Sequence, residues 1–422
     1  MKTISATIKS ALLLLLCINI QSAMAQFPLY GWRGPQRNGI YNESGLLKEW
    51  PAEGPQKLWE TSDVGKGNSS PTVTDKYIFV TGMNEDASME TLSTYTLDGK
   101  KIYTVEYSKP WHNTYPETRT TPAYSDGKVY AIGGCGDIVC LNAADGKVVW
   151  RVAGSEAYKR KINTYGPCES PLVFDDKVIY SPAGEEATMV ALDKKNGKEI
   201  WRSNSLDDCN SYASPIVIKH KGKKQIIGAT ASKIFGVNAK NGEIEWDFTI
   251  KKGHHGDVGN PTINSPIFKD GKVFFSQGYD IGSYMLQLSD DLKSATLLWS
   301  NDQIDTHMGG YVELGNTIYS TTHINNGMGN WYALDWETGD VLYNEAWTGK
   351  SKGAIIAADN MLYCYEERRG TVALAKPSRE KFEIVSEFRV TSGEGPHWAH
   401  PVIANGVLYI RHGSTLMAYK IK

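Results

Sequence analysis

Eight short segments of this sequence concentrate side chains that can bind or move protons. In chain order they carry Lys66 and Asn68; Glu117 and Arg119; Tyr165 and Glu169; Asn210 and Tyr212; His254, His255, Asp257 and Asn264; His307; Lys352; and His397, Trp398 and His400. Five of the nine histidines fall in these segments, so titratable groups are gathered there rather than spread evenly. Histidine titrates near neutral pH and arginine can hold a carboxylate. Arg119, Tyr165, Glu169, His307, His397 and His400 are therefore the candidate catalytic groups for acid–base work. Aromatic faces flanked by amides and charges also suit sugars or peptides. On that reading the ligand-binding set is Asn68, Arg119, Glu169, Tyr212, Asn264, His307, Lys352, His397 and Trp398. His254, His255 and His307 are candidate metal ligands, although their spacing matches no short metal motif. The plain alternative is a row of solvated loops, which carry such residues in any case.

What positions these segments is a repeat. Each precedes a strand start, marked by Ser-Pro or Thr-Pro at prolines 71, 122, 171, 215 and 266 and by His-Pro at 401. Two further starts, near Tyr311 and Ile355, keep the layout without the proline. Downstream, Trp150, Trp201 and Trp246 each follow a glycine by four residues (Gly146, Gly197, Gly242), and Trp299 ends a weaker copy. Asp-Gly and Asn-Gly between apolar runs are hairpin signals, because these residues accept positive φ. Recurrence at this period marks a repeat fold. Four strands per copy and eight copies predict an all-β chain folded as an eight-bladed β-propeller of four-stranded antiparallel blades. The eighth copy runs out after three strands at the C terminus. The segment around Trp59 supplies the fourth, so pairing of the two ends closes the ring and removes a sheet edge.

The expected organisation is a signal peptide over 1–25, an N-terminal extension over 26–56 and the propeller over 57–422. Lys2 and Lys9, the run ALLLLLCINI and Ala23-Met24-Ala25 carry the secretory reading, with cleavage near Ala25. An exported protein, periplasmic or secreted, with no transmembrane segment and a monomeric state, is expected. A net charge of −2 gives no pull toward nucleic acid. Beyond Cys17 the cysteines are Cys135, Cys140, Cys168, Cys209 and Cys364. Cys135–Cys140 and Cys168–Cys209 are possible bridges, against a reading of all five as small buried hydrophobes. Asp145, Asp193 and Asp335 are read as turn residues, GGCGD (133–137) as a hairpin turn, HKGKK (220–224) as a basic hairpin tip, and Trp336 as an exposed contact.

The pattern Ala-x-Asp-x-x-x-Gly-Lys-x-x-Trp, preceded by Ser-Pro and Asp-Gly-Lys-Val-Tyr, resembles the repeat of pyrroloquinoline-quinone (PQQ) enzymes. The resemblance implies that Trp150, Trp201, Trp246 and Trp299 dock each blade onto its neighbour. Residues 31–39, Gly-Trp-Arg-Gly-Pro-Gln-Arg-Asn-Gly, are similar to the opening of exported bacterial PQQ-like repeat proteins. BamB-type outer-membrane assembly factors share the eight-bladed architecture without a quinone. The quinone enzymes carry two adjacent cysteines against the cofactor, and no two cysteines are adjacent here. No cofactor is assigned, and PQQ with calcium belongs to the alternative reading. The resemblance and the residues together imply a binding or scaffold protein that takes a glycan or an envelope protein at its central-channel face. The alternative is an enzyme with its site at the channel mouth: a divergent quinone-dependent oxidoreductase, or an acid–base catalyst on carbohydrate.

Overall fold

The computed structural model describes residues 30–162, 164–250, 263–347 and 349–422. They form eight antiparallel sheets, each of four strands in simple up-and-down order save for one added strand. Blade 3 shows the plan: Leu172–Phe174 innermost, then Lys177–Tyr180, Val190–Asp193 and Glu199–Arg202. In six blades the first and second strands meet at tight turns whose two central residues both have positive φ. Asp126-Gly127, Lys221-Gly222, Asp270-Gly271, Gly315-Asn316 and Asn405-Gly406 all do so. This is the mirror-image turn that matches strand twist, and it explains the Asp-Gly and Asn-Gly dipeptides. The HKGKK tip is one of these turns.

Third and fourth strands meet at a second repeated turn. Asn142, Asp193, Asn238 and Asp335 each give a backbone N–H to the residue five ahead and receive one from the glycine four ahead. Asp193 and Asp335 also accept backbone N–H bonds on Oδ1 from the two and three residues ahead. Asp145 accepts from Lys147 N in the same turn, but three positions later than the residue equivalent to Asp193. The fourth strand then slips register by one residue beside each tryptophan, as between Val148 and Trp150. Such a bulge re-aims a side chain, and it turns Trp150, Trp201 and Trp246 inward, where each is over nine-tenths buried.

The Trp150 and Trp201 rings, with those of Trp299 and Trp59, each lie on the turn glycine of the next blade, whereas the glycine against Trp246 is Gly236 of its own blade. A Cβ at Gly197 would stand 2.7 Å from the Trp150 ring, at Gly242 2.5 Å from Trp201, at Gly339 2.5 Å from Trp299 and at Gly99 2.6 Å from Trp59. Trp150 Nε1 donates across the seam to Lys194 O at 3.1 Å, and Trp299 Nε1 to Trp336 O at 3.2 Å. Trp246 departs from the pattern, donating to Gln225 Oε1 in its own blade. Trp336 is not the exposed contact expected from its sequence position. It is 1% exposed and folds back among Ile267, Phe274 and Met285, where a ring stands in place of the Ala143, Lys194 and Ala239 of other blades.

The ring closes as expected. Lys57–Thr61 pairs antiparallel with Thr415–Lys420, giving the last blade its fourth strand. Arg411, wholly buried, locks the seam by donating to the carbonyls of Gly65, Ser69, Thr81 and Gly413. The N-terminal extension does more than lie on the surface. Tyr30 bridges to Tyr124, and Trp32 Nε1 donates to Ser265 Oγ. Arg33 donates to Tyr311 O, and Arg37 to the carbonyls of Ser170 and Pro171. Ile40–Tyr41 then adds a parallel strand inside Gly353–Ala358. This segment crosses the central channel and plugs it. No helix among the described residues is long and apolar enough to cross a membrane.

The tryptophan–glycine seam can be tested by comparing two glycines. Gly127 (φ +75°) has open space at its Cβ, whereas Gly197 (φ +72°) faces the Trp150 ring. Gly127→Ala is expected to cost about 1 kcal/mol from backbone strain alone, and Gly197→Ala about 2–3 kcal/mol. Urea unfolding of both variants measures the difference, and equal costs would refute the docking role.

Candidate functional site

Every inner strand begins at the same end of the channel, so the loops leading into them gather there as a mouth, above the plug. The mouth has two unlike sides. One is an aromatic arc. Trp398 meets Tyr115 at a centroid distance of 5.9 Å, Tyr115 meets Tyr165 at 5.9 Å, and Tyr165 meets Tyr212 at 6.2 Å. Tyr115 and Tyr165 are 56% and 39% exposed, a large commitment of ring surface to water. Below the arc lies a recess of about 280 Å³ lined by Lys66, Asn68, Tyr115, Glu117 and Trp398. Lys66 Nζ stands 3.3 Å from Glu117 Oε1 across it.

The arc is fastened by Arg119. Its guanidinium donates to the carbonyls of Thr114, Tyr115 and Glu117 and to Tyr165 O on the next loop. These bonds engage all three guanidinium nitrogens, so Arg119 ties the two loops together. Tyr115 sits at φ +43°. A bulky residue in the left-handed region is a costly conformation that neighbours must enforce.

The other side is a cluster of ionisable groups. Tyr279 Oη lies 3.0 Å from His307 Nε2, and His323 packs on both rings at 4.4–4.6 Å. Asp305 sets this geometry by accepting N–H bonds from Asp280 and His323, each at 3.0 Å. Burial, then His323 and Lys352, hold the His307 imidazole well below its usual titration range, so it is neutral. Next to it Lys352 pairs with Glu367 at 3.4 Å. Burial pushes the Glu367 carboxyl up to about 7, the Lys352 charge only partly opposing.

Several other expected site residues are interior supports. Asn264 donates to the carbonyls of Ser276, Thr306 and His307 and accepts from Gly310 N. Glu169 accepts Ser181 N on both oxygens, and burial raises it to about 7. His397 bonds Tyr365 Oη at 2.5 Å and stacks on His412 at 3.7 Å. His400 lies under the plug, with Nε2 donating to Met308 O at 2.8 Å and Trp32 packed at 4.7 Å. Asn210 is buried and Lys352 is 2% exposed. His254, His255 and Asp257 lie outside the described residues. Of the expected set, Asn68, Arg119, Tyr165, Tyr212 and Trp398 keep part of their surface exposed.

Tyr115, Tyr279 and His323 were missed. Tyr115 stands two residues before Glu117 and was readable. Tyr279 and His323 come from loops between second and third strands, which also reach the mouth. The five cysteines beyond Cys17 are all unpaired, so neither suggested bridge forms. Among the described residues no group of three or more His, Cys, Asp or Glu could hold a metal ion. A larger groove of about 510 Å³ on blades 3 to 5 lacks aromatic walls, and its Lys177 and Lys224 are paired with Asp176 and Asp175.

A family model described as outer membrane protein assembly factor BamB matches residues 97–342, more than half of the chain. The chain belongs to this family. It is 24% identical over 243 residues to outer membrane protein assembly factor BamB of Shewanella oneidensis, covering 56% of this chain and 55% of that protein. It is 29% identical over 148 residues to 1-butanol dehydrogenase (quinone) of Thauera butanivorans, covering 31% of this chain and 23% of that protein. The chain thus spans about half or less of the length of these curated relatives. Among solved structures, BamB of Moraxella catarrhalis superposes with a TM-score of 0.63 at 12% identity, over 87% of this chain and 99% of that one. Quinohemoprotein alcohol dehydrogenase of Comamonas testosteroni superposes with a TM-score of 0.66 at 12% identity, over 95% and 82%. At such identity these two establish the shared fold.

The buried groups carry opposite pH signatures. Burial lowers His400 from 6.5 to about 3. The unfolded chain therefore gains a proton below about 6.5 that the folded one refuses, and stability is lost as pH falls through that window. Glu169 is raised from 4.5 to about 7, so its contribution is present at low pH and lost as pH rises from about 4.5 to 7. His400→Gln is expected to flatten the fall of Tm on acidification, and Glu169→Gln to flatten the fall toward neutral pH. Melting curves between about pH 4 and 8 check both signs.

Proposed function

We propose that this propeller is a binding protein of the cell envelope and that the mouth takes a saccharide. The observation that carries the reading is the arc Trp398–Tyr115–Tyr165–Tyr212 beside a polar recess. Sugar rings stack their apolar faces on aromatic side chains and spend their hydroxyls on amides and charges. Asn68, Lys66 and Glu117 offer those partners beneath the rings. The plug supports this reading further, because it makes the mouth a blind bowl and not a passage. The ionisable side, with Tyr279 against neutral His307, lines the same bowl and can orient a hydroxyl.

Family membership favours a second reading, in which the same face takes an envelope protein. Aromatic anchors dominate protein interfaces as they do sugar sites, and the relatives named BamB are assembly factors by name. The two readings separate on one set of variants. Trp398→Ala, Tyr115→Ala and Tyr165→Ala are each expected to weaken binding of soluble oligosaccharides by about 1–2 kcal/mol, roughly tenfold or more, without lowering Tm. Calorimetry against a panel of oligosaccharides measures this. If no sugar binds, and the same variants abolish capture of one envelope protein, the protein reading replaces the saccharide one.

A further inference from the structure

We propose that the recess between Tyr115 and Trp398 receives a charged amino group, so that the ligand is a saccharide carrying a free amine. This rests on the saccharide reading of the mouth. The recess is lined by Lys66, Asn68, Tyr115, Glu117, Glu394 and Trp398. Its two rings meet edge to face, 5.9 Å between centroids. Aromatic faces carry negative charge density and attract an ammonium ion.

The fixed charges agree in sign with the rings. Lys66 and Glu117 face each other at 3.3 Å and cancel, which leaves the Glu394 carboxylate as the net charge of the lining. The Lys66 side chain is 57% exposed and can swing into water when a ligand ammonium takes its place on Glu117. An anionic sugar would meet Glu394 and the ring faces unfavourably. A neutral sugar would gain stacking alone, whereas an amine gains stacking and charge together.

The shape of the recess is enforced from behind. A Cβ at Gly67 would come within 2.5 Å of Arg411 Nη2, and one at Gly413 within 2.4 Å of Glu394 O, so larger residues cannot stand there undisturbed. Arg119 holds the Tyr115 carbonyl at 2.7 Å and so keeps that ring in its left-handed backbone position. Strain of this kind, concentrated on one lip of a cavity, is a mark of a built site.

The test uses three β-1,4-linked tetrasaccharides that differ only at C2: those of glucosamine, N-acetylglucosamine and glucose. Calorimetry is run on the full exported chain at about pH 5.5, where the amine is charged. The glucosamine tetramer is expected to bind about tenfold tighter than the other two. Glu117→Gln and Glu394→Gln should each erode that preference, Lys66→Gln should increase it, and added salt should weaken the amine ligand selectively. Equal affinity for all three, or a preference unchanged in both carboxylate variants, overturns the proposal and leaves the saccharide reading standing. No binding of any of the three, together with none from a wider neutral panel, overturns both.

Discussion

The structure depends on one contact made repeatedly: an indole ring laid flat on a glycine in the neighbouring blade. A single four-stranded blade is hydrophobic on both faces and cannot stand alone. Each seam must therefore be specific, or blades would dock at variable angles and the ring would not close. The glycine at positive φ removes the side chain that would hold the ring away, and the bulge before the tryptophan aims the ring at the gap. Trp59, Trp150, Trp201 and Trp299 repeat this around the circle. Because it repeats, the inner strands begin at the same height, and the described loops before them converge on one mouth.

The second constraint is the plug. Arg33 and Arg37 are buried, both at positive φ, and burial lowers each guanidinium to about 10. Their donors reach carbonyls on blades that are far apart in sequence, at Tyr311 and at Ser170 and Pro171. Buried guanidinium groups are costly unless their hydrogen bonds are made, and the carbonyls at the strand starts supply those bonds. Gly310 and Gly39 give Arg33 its space, since a Cβ at either would overlap it. The polar cost of filling a wide channel is thus met by backbone, and the side chains of the mouth are left for other work.

The blades were legible in the sequence because their signals are local. Asp-Gly turns, Ser-Pro starts and a tryptophan four residues past a glycine each encode one piece of geometry, and the weaker copies keep the same layout. The closing strand at Trp59 was legible because the last repeat lacked one. The site was legible only in part. Described residues before the Ser-Pro and Thr-Pro starts, such as Asn68, Tyr115 and Tyr212, do reach the mouth, yet their types did not say which are exposed. Glu169, Asn264 and His400 resemble ligand groups in sequence but satisfy buried backbone, and Arg119 holds loops together. Tyr279 and His323 arrive from a different set of loops that no repeat marker flags. The plug was unreadable for the same reason, since its partners are scattered over the whole chain.

Ring closure has a consequence for how the molecule comes to exist. Among the described residues the strand Lys57–Thr61 pairs with Thr415–Lys420, the far end of the ring in sequence. Synthesis runs from the N terminus, so this strand is made about 350 residues before its partner and must wait for that partner before its hydrogen bonds exist. Until then it is an open edge, exposed to other chains. Completion of this ring is therefore a long-range event, and a chain that lacks Thr415–Lys420 loses the clasp of the ring and not merely one strand.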